Sequence, residues 1–155
     1  MLDLFRRPAP KRLAALGTMT LFSDLTRREL RAFEGFIHER RYLQSEIVFD
    51  QGEEGEAFYM VLDGTVRITR QGASDALDVT MGPGEFFGEL ALLDNSPRSA
   101  QARAAEDCTL LVLFRGDFMG LMESHGLIAS KIAMQLARYL GARLRNAAQA
   151  QPSVL

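Results

Sequence analysis

Residues 82–102 read GPGEFFGELALLDNSPRSAQA, a stretch with no counterpart elsewhere in the chain. Gly88 allows another group to approach the backbone closely, and residues 89–93 can form one helical turn. The first N–H groups of such a turn lack internal partners, which makes them a ready site for an anion. Arg98 follows across the short loop Asp94-Asn95-Ser96-Pro97, which can fold its side chain back over the same spot. A guanidinium offers a planar fork of donors to phosphate, and Ser99 adds a hydroxyl donor. Glu89 beside this positive cluster suits either an arginine partner or an acceptor for a sugar hydroxyl. The plainer alternative is a glycine-rich turn, a capped helical stub and a surface Glu–Arg pair.

Outward from this stretch the chain is a succession of short apolar or alternating runs, at 42–43, 47–49, 58–62, 65–70, 77–81, 100–104 and 109–113. Gln51-Gly52, Asp63-Gly64, Gln71-Gly72 and Gly82-Pro83-Gly84 punctuate them. Seven or eight short strands at this spacing predict a sandwich, roll or barrel. Asp63-Gly64 predicts a type I′ hairpin turn, with Val66 and Ile68 facing one way and Thr65, Arg67 and Thr69 the other.

Helical spacing brackets the strands. Thr26 with Glu29 three residues on is a capping-box pattern, and Leu30, Phe33 and Phe36/Ile37 follow at helical intervals, so residues 26–35 read as a short helix. Residues 117–123 form another short helix and residues 127–145 a long one. Along the latter Ile128, Ile132, Leu136, Leu140 and Leu144 recur every four residues, beside Ala129, Ala133 and Ala137. The expected division is a lead-in over 1–21, one domain over 22–145 and a flexible tail over 146–155. The fold class is mainly β with flanking helices: a β-roll or jelly roll of about eight strands, with short N-terminal helices and a long C-terminal one.

A chain of 155 residues, 47% hydrophobic and 25% charged, is an ordinary globular composition with room for one domain. A net charge of −2 advertises no nucleic acid. The lone Cys108 excludes an internal disulfide and a Cys-rich zinc site, and reads as a small core residue. No apolar stretch is long enough to span a membrane. The N-terminal Arg6, Arg7, Lys11 and Arg12 precede no apolar leader segment, so the cytoplasm is the default address.

The 82–102 stretch resembles the phosphate-binding cassette of the cyclic-nucleotide-binding family. That family includes bacterial catabolite-activator regulators, regulatory subunits of cyclic-nucleotide-dependent kinases and nucleotide-gated channels. Its cassette, Phe-Gly-Glu-Leu-Ala-Leu followed by a variable loop and Pro-Arg-Ser/Ala-Ala, is matched at 87–92 and 97–100. A second family signature stands upstream at residues 49–64, FDQGEEGEAFYMVLDG. The resemblance implies that Glu89 accepts the ribose 2′-hydroxyl and Arg98 pairs with the cyclic phosphate. Gly88, Ser99, Ala100 and the backbone N–H groups of Leu90 and Ala91 would complete the cradle. Ile68 and Val79 fall near positions lining the base pocket, with a plain core role as the alternative. The helix position where catabolite-activator-like members carry a Thr-Ser pair is Arg143-Leu144 here, a departure that makes Arg143, Tyr139 or Arg138 the candidates for a base contact.

The ligand implied is a 3′,5′-cyclic nucleotide, cyclic AMP in preference to cyclic GMP, because Gln101 replaces a Thr or Ser that often donates to guanine. No cofactor and no catalysis are expected. A cupin-type metal enzyme needs clustered ligands, whereas His38 and His125 stand far apart and read as boundary residues. No segment remains after the long helix for a helix-turn-helix, so direct DNA binding is not expected. A protein effector in trans is expected, with a homodimer through Ile132, Leu136 and Leu140 of the long helix as an option. The alternative function is a degenerate domain acting as an interaction scaffold, against which the intact Glu89 and Arg98 count.

Overall fold

The runs at 58–62 and 109–113 lack polar alternation because they become strands covered on both faces. In the computed structural model, which describes residues 9–72 and 76–150, they lie in β3 (Ala57–Asp63) and β8 (Cys108–Phe114), paired antiparallel at the centre of one sheet. Successive side chains of a strand point to opposite faces. Ala57, Tyr59 and Val61 with Leu110 and Val112 therefore enter one core, inside the roll. Phe58, Met60 and Leu62 with Leu111 and Leu113 enter a second, beneath the helices.

The remaining strands are β1 (His38–Tyr42), β2 (Ile47–Phe49), β4 (Val66–Arg70), β5 (Leu77–Met81), β6 (Phe86–Phe87) and β7 (Gln101–Ala104). Two four-stranded antiparallel sheets result, ordered β1-β8-β3-β6 and β2-β7-β4-β5. The pairs β1–β8, β2–β7, β3–β6 and β4–β5 nest inside one another, which is the jelly-roll arrangement. At one edge, β1 reads His-Glu-Arg-Arg-Tyr, and such charged strands discourage edge-to-edge association.

The helical layer comprises α1 (Ala9–Gly17), a 3₁₀ turn (Thr20–Phe22), α2 (Arg27–Glu34), α3 (Arg115–Ser124) and α4 (Gly126–Ala150). The capping box at Thr26 is present: its hydroxyl accepts from the Glu29 N–H, and the Glu29 carboxylate accepts from the Thr26 N–H. Lys131 of α4 bonds the same carboxylate at 2.7 Å, and together these hold the Glu29 carboxyl below its ordinary range. Ile128, Ala129, Ile132 and Leu136 of α4 are buried in the second core.

Four expectations need correction. Asp63-Gly64 is not a hairpin turn, because β3 and β4 belong to different sheets and Gly64 passes the chain between them. A type I′ turn needs two positive φ angles, and here Gly64 has one (76°) while Asp63 does not. The next strand in sequence, β5, pairs antiparallel with β4. The lead-in is part of the core: Leu16 and Arg12 of α1 are buried, and the Arg12 side chain donates to the Ile37 carbonyl. The long helix continues through Ala150, past the expected end of the domain, while Arg6, Arg7 and the tail residues 151–155 lie outside the described residues. Finally, Ile132 and Leu136, two of the three residues expected at a homodimer contact, are at most 2% exposed and pack into the second core of their own chain, with Leu140 partly buried against it. The exposed large apolar residues of α4 are Leu127, Met134 and Leu144.

Candidate functional site

The 82–102 stretch folds as a two-residue strand, a 3₁₀ turn (Glu89–Leu92) and a loop that returns to β7. Gly88 caps the turn in the left-handed region, with φ 73°. A Cβ there would also meet Arg98 Nη1 at 2.8 Å, so glycine is favoured by conformation and any side chain would displace the Arg98 guanidinium. The Ala91 N–H closes the turn on the Gly88 carbonyl at 3.2 Å. Leu90 and Ser99 are exposed, whereas Ala91 and Ala100 are buried.

Arg98 folds back over the turn. Its Nη2 donates to the Ala57 carbonyl at 2.6 Å and its Nη1 to the Gly88 carbonyl at 3.3 Å. The guanidinium lies 4.0 Å from the centre of the Phe49 ring, within cation–π range. Its Nε is buried with no hydrogen-bond partner among the described residues. Burial lowers the pKa of Arg98, opposed by attraction from Tyr59, Glu53, Glu89 and Glu56. A half-buried cation held by carbonyls and rings is a place where an anion gains strongly.

Glu89, buried at the start of the turn, is met from the long helix. Its Oε1 accepts from Arg143 Nη1 of α4 at 2.8 Å. Tyr139, one turn earlier on α4, packs edge-to-face on Phe86 with 4.8 Å between ring centres. Burial raises the Tyr139 pKa. The long helix thus reaches this segment through Tyr139 and Arg143, and Arg143 meets the Glu89 carboxylate. No contact of Arg138 with this segment is seen; it lies 3.8 Å from Asp24.

The second signature, around residues 49–64, supports the first. Gly55 N–H donates to the Ser96 carbonyl at 3.2 Å, the Arg98 N–H donates to the Glu53 carbonyl at 2.6 Å, and Gly52 N–H donates to the Arg98 carbonyl at 2.8 Å. Asn95 adds a side-chain bond to Glu54 at 3.0 Å. Arg115, at the start of α3, escaped the sequence reading. Its Nη1 contacts the carbonyls of Gly55, Ala91 and Asp94 at 2.8, 3.1 and 2.7 Å, tying both loops to the helical layer. A lone arginine at a strand–helix junction carries no pattern that could have announced this.

Ile68 and Val79 are direct partners across β4–β5 and so share a face. Ile68 is buried in the inner core while Val79 is 37% exposed, so the roll opens to solvent at this end. Ile68 also pairs with Ala102 of β7, and Ala100, just before that strand, lies in the same inner core. Gln101, between those alanines, points outward and donates to Asp50 at 2.9 Å, a bond that holds the Asp50 carboxyl below its ordinary range. Gly88, Glu89 and Arg98 therefore meet at the turn, while Ala100 shares the inner core with Ile68, whose strand partner Val79 is exposed.

A family profile described as the cyclic nucleotide-binding domain matches residues 39–125, from β1 to the end of α3. The chain belongs to the cyclic nucleotide-binding domain family. Within that family it is 41% identical over 129 residues to the cyclic AMP receptor protein of Thermus thermophilus, a match covering 82% of this chain and 58% of that one. It is 37% identical over 111 residues to the cAMP-dependent protein kinase regulatory subunit of Eremothecium gossypii, covering 72% of this chain and 24% of that one. The crystal structure of Thermus thermophilus catabolite activator protein superposes with a TM-score of 0.77 at 36% identity, over 87% of this chain and 62% of that one. The cyclic nucleotide-binding domain here thus spans under two thirds of the length of these relatives. No helix among the described residues is long and apolar enough to cross a membrane.

Proposed function

We propose that this domain is a cyclic nucleotide sensor in which Arg98 binds the cyclic phosphate and Glu89 the ribose 2′-hydroxyl. The observation that carries the reading is the half-buried Arg98 guanidinium. It is fixed by two carbonyls and the Phe49 ring, with its Nε left without a partner. Ser99, exposed beside it, and the Leu90 N–H at the turn are further donors. The base then lies along the Ile68–Val79 end of the roll.

Cyclic AMP is the preferred ligand on this reading. The inward positions after Arg98 are Ala100 and Ala102, the roll mouth is lined by Ile68 and Val79, and the Gln101 amide is engaged with Asp50 on the outer face. None of these offers a group to the guanine amino nitrogen. The relatives' names, a cyclic AMP receptor protein and a cAMP-dependent kinase subunit, agree with that choice. The sensor passes occupancy to a protein effector through α4, which reaches the cassette through Tyr139 and Arg143.

Titration calorimetry with cyclic AMP tests the assignment. Hydrogen bonds to a charged group contribute about 1.5–3 kcal/mol, so Arg98→Ala should weaken binding roughly 10- to 150-fold. Equal affinity for the variant and the parent chain would overturn it, and tighter binding of cyclic GMP in competition would overturn the base preference.

A further inference from the structure

On the reading that Arg98 takes the cyclic phosphate, we infer that Phe49 is a positioning residue of the phosphate site: the face of its ring holds the guanidinium where the anion meets it. The central carbon of that guanidinium lies 4.0 Å from the Phe49 ring centre, against 5.8 Å from that of Tyr59. So near an approach is possible only over the ring face, where the π quadrupole is negative. The carbonyls of Gly88 and Ala57 take one terminal nitrogen each, and Nε makes no hydrogen bond among the described residues. Burial here weighs against the cation. The ring favours the charge without using up a donor, so N–H groups of the fork remain for phosphate.

The ring is itself braced. Phe49 ends β2 at 8% exposure, its centre 5.7 Å from that of Tyr59 and 5.9 Å from that of Phe87, and those two rings stack on each other at 5.5 Å. Phe87 stands immediately before Gly88, so one of the bracing rings lies on the strand that enters the turn. Just beyond Phe49, the Gly52 N–H donates to the Arg98 carbonyl and the Glu53 carbonyl accepts from the Arg98 N–H. Residues 49–53 thus hold the same arginine by its main chain and by its side chain. A leucine at position 49 would put an apolar side chain into the inner core but bring no quadrupole. The guanidinium would then spread over more rotamers, and apparent affinity falls with the fraction of molecules that hold it in place.

Fluorinated phenylalanine separates this role from packing. Each fluorine draws negative charge from the ring face and leaves the ring's shape nearly unchanged, so a series grades the attraction for the cation. Cyclic AMP affinity is measured by calorimetry on the parent chain, on chains carrying one, two and three fluorines on the ring of residue 49, and on Phe49→Leu. It should fall in step with the fluorine count and drop roughly three- to thirtyfold in Phe49→Leu, the range that a cation–π contact spans. The same fluorines on Phe118, in the second core, should leave affinity within about twofold. A parent chain that binds while the series at residue 49 changes nothing, or changes no more than the series at Phe118, would overturn the inference and leave the nucleotide assignment standing. So would affinity that rises with fluorine, because the ring would then compete with phosphate for the cation. A parent chain that binds no cyclic AMP would remove the assignment, and the inference with it.

Discussion

Two glycines of the same stretch show how one residue type serves different ends. Gly84 and Gly88 both hold positive φ, 88° and 73°, but a Cβ on Gly84 would meet nothing within 4 Å, whereas one on Gly88 would strike the Arg98 guanidinium. Alanine at either position forces a side chain into the left-handed region, at a cost of about 1 kcal/mol or more. Thermal unfolding should therefore fall for both variants. Nucleotide affinity should collapse only for Gly88→Ala, because only there must Arg98 move. If Gly84→Ala lost affinity to the same degree, the position of Arg98 would not be what matters. The backbone need for glycine was legible in the residue string; the contact with Arg98 required the folded loop.

At the scale of elements, legibility followed covering. β3 and β8 were read as unbroken apolar runs because both their faces are buried, and α2 announced itself by its cap. β6 is two residues long between Gly84 and Gly88, too short for any period to show. Asp63-Gly64 misled because a turn pair says that the chain bends, not which strand it will meet. The contact that Arg143 makes with Glu89 was not legible for a related reason. Sequence spacing set it on the helix, but the packing of Tyr139 on Phe86 decides which end of the cassette it faces. Arg115 is the element-scale joint that no pattern revealed. Arg115→Ala frees the carbonyls of Gly55, Ala91 and Asp94 at once. Losing hydrogen bonds from a charged donor should cost about 1–3 kcal/mol, seen as a midpoint several degrees lower. Cyclic AMP binding should weaken with it, as the loops on either side of Arg98 loosen. Unchanged affinity in a destabilised variant would show that Arg115 serves the fold and not the cradle.

For the whole molecule, the first helix is fastened by a buried cation. Arg12 of α1 is buried, its Nη2 donates to the Ile37 carbonyl at 2.9 Å, and its Nε lies 3.2 Å from the Glu34 carboxylate. Arg12→Ala would remove the buried donor to the Ile37 carbonyl and a cation beside Glu34, and losing hydrogen bonds from a charged donor costs about 1.5–3 kcal/mol. Chemical denaturation should show a loss of that order, and a change below about 1 kcal/mol would mean that α1 is an accessory to the fold. The nested strand pairing has a consequence for how the chain is made. β1 is synthesised early, yet its ladder partner is β8, with His38 opposite Val112, and β2 likewise waits for β7. On a ribosome the first strands emerge as open edges that nothing yet synthesised can close, so folding must wait until residues near 114 have left the exit tunnel. Pairings this distant are slow, on the order of milliseconds to seconds. The charges of β1 then protect the chain twice: at the finished edge of the sheet, and earlier, while that strand waits without a neighbour.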